Sequence, residues 1–314
     1  MNILEVRNLT VWFPRLSSFL RRRTGENKAV TNVSFNVPLG KTVGLVGESG
    51  SGKTTIGMAI LKLVPLTKGS IQFRGKEITN LPERAFRPLR RQMQMIFQDP
   101  YGSLNPRWDI LKIVTEPLRV HFPSLNASQR ESKAAELLQR VGLKPEFLRR
   151  FPHEFSGGQR QRIGIARAII LGPKLVVCDE PVSALDVSIQ AQIVNLLMQL
   201  QRELGLTLIL ISHDLAIVRH ISHHILVLYL GRVMEAASRD ELYAHPRSGP
   251  RTEPPAHGAG GRSPLAARSA KRLRIPHPLP AGDFRLRRDR AAGGRGERHS
   301  PRRLPPLAGE RLIG

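Results

Sequence analysis

The sequence predicts an α/β protein with a mostly parallel sheet and an inserted helical subdomain, on three observations. Through residues 1–246, short apolar runs of strand length alternate with helical patterns and turn signals. Between Tyr101 and Gly172 the strand signals stop and helical spacing takes over. A glycine-rich turn, Gly47–Thr54, joins one apolar run directly to a helical one.

In chain order, Met1–Phe13 alternates apolar and polar residues and reads as a first strand with no basic-then-apolar leader. Thr42–Val46 reads as a buried strand, and the helical run Thr55–Leu63 follows it. In the helical stretch, Ala127–Val141 has helical spacing with Ser128 as its N-cap and Gly142 as its C-cap. Leu175–Cys178, Thr207–Ile211 and Ile225–Leu230 are further strand-length runs. None approaches the roughly 18 apolar residues that a membrane helix needs, so any membrane role is expected to be peripheral and the chain cytoplasmic.

Composition separates two regions. Residues 247–314 carry 16 Lys and Arg against 5 Asp and Glu, an excess of +11 out of the +24 of the whole chain. They also hold ten Pro and ten Gly, a density that reads as a low-complexity tail unable to bury enough apolar surface to fold alone. A single cysteine, Cys178, excludes an intramolecular disulfide and a cysteine-held metal cluster; it reads as a small buried apolar residue.

Gly47-Glu48-Ser49-Gly50-Ser51-Gly52-Lys53-Thr54 fits G-x-x-x-x-G-K-[ST] between a strand and a helix, the context that a phosphate-binding loop requires. Glycines let backbone N–H groups wrap phosphates, and the helix N-terminus adds positive potential. Lys53 is placed to reach the β and γ phosphates and the Thr54 hydroxyl to ligate Mg²⁺. The rival is a Gly/Ser-rich turn that acquired Lys and Thr at the right positions by accident. Leu175–Cys178 ends in Asp179 and Glu180, which delivers two carboxylates to the ligand-binding edge of the sheet. Asp179 suits Mg²⁺ held through water, and Glu180 suits polarising the water that attacks the γ phosphate. A strand ending at an exposed Asp-Glu turn is the alternative if this segment stood alone.

Phe155-Ser156-Gly157-Gly158-Gln159-Arg160 offers a second serine-glycine cradle before the helical run Ile163–Leu171. One chain does not need two cradles for one phosphate chain. With this element the sequence closely resembles the ABC ATPase family over residues 1–246. The resemblance implies a P-loop NTPase core with an N-terminal antiparallel β subdomain and a helical subdomain at about 101–172. It implies ATP and Mg²⁺ as ligands, with Phe13 stacking on adenine and Gly47, Glu48, Ser49, Gly50, Ser51, Gly52, Lys53, Thr54 and Thr55 binding ATP. Gln98 matches the glutamine that reaches Mg²⁺ and the attacking water and links to the helical subdomain, and His213 matches the histidine that hydrogen-bonds the γ phosphate. Thr54, Gln98 and Asp179 form the implied Mg²⁺ set, and Glu180, His213 and Gln98 the catalytic set. Ser156, Gly157, Gly158 and Gln159 act on the ATP of a second subunit, and Ser183, Ala184, Leu185 and Asp186 cross the interface between the two.

Wording around the motifs is similar to the dipeptide/oligopeptide importer branch, which includes nickel and glutathione systems: Ile96-Phe97-Gln98-Asp99-Pro100, Ser103-Leu104-Asn105-Pro106-Arg107 and Ser212-His213-Asp214-Leu215. That implies a second ATPase subunit, two membrane permeases and an extracytoplasmic binding protein as partners, at the cytoplasmic face of a bacterial inner membrane, with no nucleic acid expected. The alternative is a soluble ABC ATPase acting on ribosomes or DNA. After His245-Pro246 the resemblance stops, and the tail reads as an out-of-frame translation or as a basic arm for anionic lipid or nucleic acid.

Overall fold

The computed structural model describes residues 1–16 and 23–243. The basic tail expected from 247 to 314, with both readings of it, lies outside the described residues. The order is β1 (Asn2–Leu16), β2 (Arg23–Pro38), β3 (Thr42–Gly47), α1 (Lys53–Ile60), β4 (Lys68–Phe73), β5 (Lys76–Glu77), α2 (Glu83–Arg90) and β6 (Met93–Ile96). There follow α3 (Pro100–Ser103), α4 (Ile110–His121), α5 (Ala127–Arg140), α6 (Gly157–Ile169) and β7 (Leu175–Asp179). The described chain closes with α7 (Val187–Leu204), β8 (Thr207–Ser212), α8 (Leu215–Ile221), β9 (His224–Tyr229), β10 (Arg232–Ser238) and α9 (Arg239–Tyr243).

Two sheets organise these elements. A six-stranded sheet runs β10-β9-β3-β8-β7-β6, parallel throughout except for the antiparallel edge β10. A four-stranded antiparallel sheet runs β2-β1-β4-β5. Every residue of β7 and β8 is buried, as parallel strands covered on both faces require, and this is why they read as unbroken apolar runs. Successive side chains point to opposite faces. Val176 and Cys178 therefore join a core with Ile113, Leu138, Ile163 and Ile193 of the helices, whereas Leu175 and Val177 join a core with Ile56 and Ile60 of α1 and Val6, Val33 and Ile71 of the antiparallel sheet. The stretch from α3 to α6 is helical and lies between β6 and β7 in the chain, so the insert leaves the sheet from the end of β6 and returns at the start of β7.

Helix boundaries depart from the sequence expectation, each for a local reason. α5 is capped by Asn126 and not by Ser128: the Asn126 Oδ1 accepts the Gln129 N–H at 2.9 Å, and the Gln129 Oε1 accepts the Asn126 N–H at 2.9 Å. Ser128 falls inside the first turn, and Gly142 stands one residue past the C-cap Val141, at φ 75°. α6 begins at Gly157, ahead of the expected Ile163, because Ser156 and Gln159 form the same reciprocal cap. α1 likewise begins at Lys53 instead of Thr55.

Candidate functional site

The phosphate-loop sequence turns between the end of β3 and the start of α1, held from behind by two other segments. Gly52 has φ 93°, and a Cβ there would stand 2.4 Å from the Ala29 carbonyl oxygen, so only glycine lets the loop lie against β2. The turn between β9 and β10 supplies the second brace. The Gly231 N–H donates to the Ser51 carbonyl at 3.1 Å, and the Gly231 carbonyl accepts the Thr31 N–H at 2.8 Å. Lys53 is buried, and its ammonium donates to the carbonyls of Gly47 at 2.8 Å and Glu48 at 2.7 Å and to the Ser51 hydroxyl at 3.3 Å. Burial pushes the Lys53 pKa down, against the opposing pull of Glu180 and Asp179. An incoming anion would share this ammonium with the loop's own oxygens.

At the end of β7, Asp179 is buried and its Oδ1 accepts the Thr54 hydroxyl at 2.8 Å. Burial raises the Asp179 pKa; the Thr54 hydrogen bond lowers it, and the neighbouring Glu180 charge raises it further. Two hard oxygen donors thus converge from different elements, and the carboxylate among them gains from a cation close by. That donor chemistry fits Mg²⁺.

Glu180 leaves the strand with φ 44°, a left-handed conformation that costs a non-glycine residue about 1–3 kcal/mol and is held here by the surrounding hydrogen bonds. Its N–H donates to the Ile211 carbonyl at 2.9 Å, and its own carbonyl accepts the Ser183 hydroxyl at 3.2 Å. The side chain is 17% exposed. Its Oε2 accepts the Gln98 Nε2–H at 2.9 Å, and its Oε1 lies 3.2 Å from the His213 Nδ1. Gln98 arrives from the end of β6 and His213 from the end of β8, so three parallel strands deliver one carboxylate with a neighbour on each oxygen.

These groups face a cleft of about 750 Å³. Of the residues expected from the sequence, Phe13, Ser49, Gly50, Gly52, Lys53, Thr54, Thr55, Gln98, Glu180 and His213 line it. Gly47, Glu48 and Ser51 instead stand behind Lys53 as its acceptors. Asp179 lines a neighbouring groove that Thr54 and Gln98 share. Ser156–Gln159 and Ser183–Asp186 line neither space, and they lie against each other: Leu185 Cδ2 would be 3.3 Å from a Cβ on Gly157. Gly158 packs so tightly on Ile189 of α7 that a Cβ would meet Ile189 Cγ2 at 2.5 Å.

Sequence reading missed Asn27, Lys28, Ala29, Leu230 and Gly231, which complete the lining. Asn27 is the cross-strand partner of Phe13, so strand register alone brings it to the cleft. The Leu230-Gly231 pair carries a turn signal in sequence but nothing that points to a phosphate.

A family profile described as ABC transporter matches residues 30–183. The chain is 52% identical over 245 residues to the oligopeptide transport ATP-binding protein AppF of Bacillus subtilis, covering 78% of this chain and 74% of that one. It is 54% identical over 219 residues to the oligopeptide transport ATP-binding protein OppF of Escherichia coli, covering 70% of this chain and 66% of that one. Among solved structures, the dimeric post-hydrolysis state of the ATP-binding cassette MJ0796 bound to ADP and Pi superposes with a TM-score of 0.67 at 28% identity, covering 75% of this chain and 98% of that one.

Proposed function

The chain belongs to the ABC transporter family, and we propose that it is the ATPase subunit that energises an importer of dipeptides or oligopeptides, working as one of two cassettes that sandwich ATP between them. The observation that carries this reading is the division of the two anion cradles. The phosphate loop shares a cleft with Glu180, Gln98 and His213, whereas the capped helix N-terminus at Ser156–Gln159 lines no part of it.

In this mechanism Phe13 stacks on the adenine, and the loop N–H groups from Gly47 to Thr55 wrap the phosphates at the N-terminus of α1. The Lys53 ammonium is shared between the loop's own oxygens and β and γ phosphate oxygens. Thr54, Asp179 and the amide oxygen of Gln98 would hold Mg²⁺, which when bound supplies neutralisation of the charge that develops on the phosphates. Glu180 accepts a proton from the attacking water, while its contacts with Gln98 and His213 fix the direction of its lone pairs. His213, at the rim of the cleft, hydrogen-bonds the γ phosphate.

A second subunit completes the site with its own serine-glycine turn, and Ser156–Gln159 of this chain serves the ATP of that subunit in return. Ser183–Asp186 crosses between the two. Two membrane permeases receive the closure at the cytoplasmic face of a bacterial inner membrane, and an extracytoplasmic binding protein selects the cargo. Among the described residues no helix is long and apolar enough to cross a membrane, so contact with the bilayer would run through those permeases.

The test is reconstitution. Co-expression with candidate permeases is expected to give a membrane complex whose ATP turnover rises when peptide-loaded binding protein is added. Recovery of the chain on ribosomes or DNA, with no permease bound, would overturn the transport reading.

A further inference from the structure

The end of the cleft that holds Phe13 is built by one pair of strands. β1 and β2 run antiparallel with Trp12 opposite Lys28 and Phe13 opposite Asn27, in unbroken register from Trp12 to Arg15. Residues directly opposite point to the same face with their Cβ atoms about 5 Å apart, and successive residues alternate between faces. Trp12 and Lys28 turn to the other face and engage each other there. The Lys28 ammonium stands 4.9 Å from the centre of the Trp12 ring, and the Trp12 Nε1–H donates to the Thr31 hydroxyl at 3.2 Å. Phe13 and Asn27 are left side by side on the cleft.

The two differ in how they are held. Phe13 is half-buried against the core that contains Val11 and Val30, which keeps its ring in place. Asn27 is exposed, and among the described residues its side-chain amide has no hydrogen-bond partner. Two positions along β2 on the same face stands Gly25, where a Cβ would meet nothing within 4 Å, so open space continues beyond the pair. Ala29, Leu230 and Gly231 of the lining bring no polar side chain. Stacking on an aromatic ring accepts any base, because every base has a π face. Choosing among bases needs a group at the edge of the ring. A primary amide presents an acceptor and a donor next to each other, the complement of an adenine N6–H and the ring nitrogen beside it.

We propose that Asn27 is a specificity-determining residue whose amide reads the adenine edge that carries the N6 amino group, Oδ1 accepting from N6–H and Nδ2–H donating to the adjacent ring nitrogen. The proposal rests on the reading of this cleft as an ATP site with the base stacked on Phe13, and it adds the group that distinguishes adenine from other bases.

The test removes each half of the contact in turn. Affinities of the full-length chain for ADP and for purine riboside 5′-diphosphate, which lacks the N6 amino group, are measured by displacement of a ribose-labelled fluorescent nucleotide; diphosphates avoid turnover. The parent is expected to prefer ADP by about 3- to 10-fold, the scale of one net hydrogen bond. Asn27→Leu should bring ADP down to the affinity of the analogue while the analogue itself stays within about twofold, a coupling that the double-mutant cycle isolates. Asn27→Ala, with no bulk at the position, should behave alike. A parent that binds the two diphosphates equally, or an Asn27→Leu variant that keeps the preference or weakens both equally, would overturn the role of the amide. Phe13→Ala separates the two readings. If it weakens ADP while Asn27→Leu changes nothing, the edge contact fails alone; if it binds ADP as the parent does, the stacked base fails and the edge contact with it.

Discussion

Replacing Glu180 by glutamine should stop turnover while sparing nucleotide binding. The substitution is close to isosteric, so the Gln98 Nε2–H, now 2.9 Å from Glu180 Oε2, keeps an oxygen acceptor once the new amide orients its own oxygen toward it. What disappears is a negative charge and a proton acceptor. Loss of a general base costs about 10²- to 10⁴-fold, or roughly 3–5 kcal/mol in the barrier. Binding should move the other way. Asp179 feels the Glu180 charge as a repulsion, and Lys53 feels it as an attraction across the cleft. Removing one of two carboxylates makes the cleft less negative toward a polyanionic ligand, so ATP affinity should hold or rise. The assay pairs steady-state phosphate release with equilibrium binding of a fluorescent nucleotide. A Glu180→Gln protein that hydrolyses ATP at the parental rate would refute the assignment, and one that loses affinity along with rate would refute the electrostatic argument.

Gly231→Ala should destabilise the folded state by about 1–3 kcal/mol, because the residue has φ 75° and a Cβ would stand 2.5 Å from the Ala29 carbonyl; an unchanged denaturation midpoint would show that the brace behind the phosphate loop is dispensable. Thr54→Val should leave the fold intact and raise the Mg²⁺ concentration needed for half-maximal turnover, since it removes the hydroxyl that donates to Asp179; an unshifted Mg²⁺ titration would remove Thr54 from the donor set. His223 gives a pH dependence. Partial desolvation of a ring whose residue is otherwise exposed, with Lys41, His224 and Arg239 nearby, holds its pKa below the usual value, and the neutral ring accepts the Thr42 N–H at Nδ1. The stability from this preference is complete above the unfolded pKa of about 6.5 and is lost as pH falls toward the depressed folded value. His223→Asn keeps an acceptor without titrating, so urea denaturation between about pH 7 and 5 should show the parent losing more stability than the variant; parallel losses would contradict the assignment. Asn126→Ala should cost about 1 kcal/mol through the lost cap on α5, and Ser128→Ala much less, which thermal unfolding of the two variants would compare.

Much of the site could be read in one dimension because its chemistry is carried by contiguous motifs. In the proposed role the Gly47–Thr54 loop needs its glycines, lysine and threonine within one short stretch, since there the backbone itself would wrap the phosphates. Asp179 and Glu180 follow an apolar run because a strand buried on both faces can carry charge only at its end. Gln98 and His213 stand at strand ends too, but that position alone reads as a turn residue for Gln98 and as a structural histidine for His213. Only the ordered set of motifs marked them, and it is the parallel alignment of β6, β7 and β8 that sets both beside Glu180. Helix starts were read less well at α5 and α6, where a reciprocal Asn-Gln or Ser-Gln cap decides the first turn before any apolar period has begun.

Residue order alone determined the α/β alternation, the helical insert and the identity of the charged groups at the ends of strands, because hydrophobic period and local turn chemistry act over a few neighbouring residues. Tertiary structure decided which of those groups meet. Asn27 reaches the cleft by cross-strand register, Gly231 braces a loop some 180 residues earlier in the chain, and Arg160 finds Tyr101 across the helical insert. Such contacts depend on strand order and helix packing, which are set by how two cores close on opposite faces of one sheet and leave no mark on any single stretch of sequence.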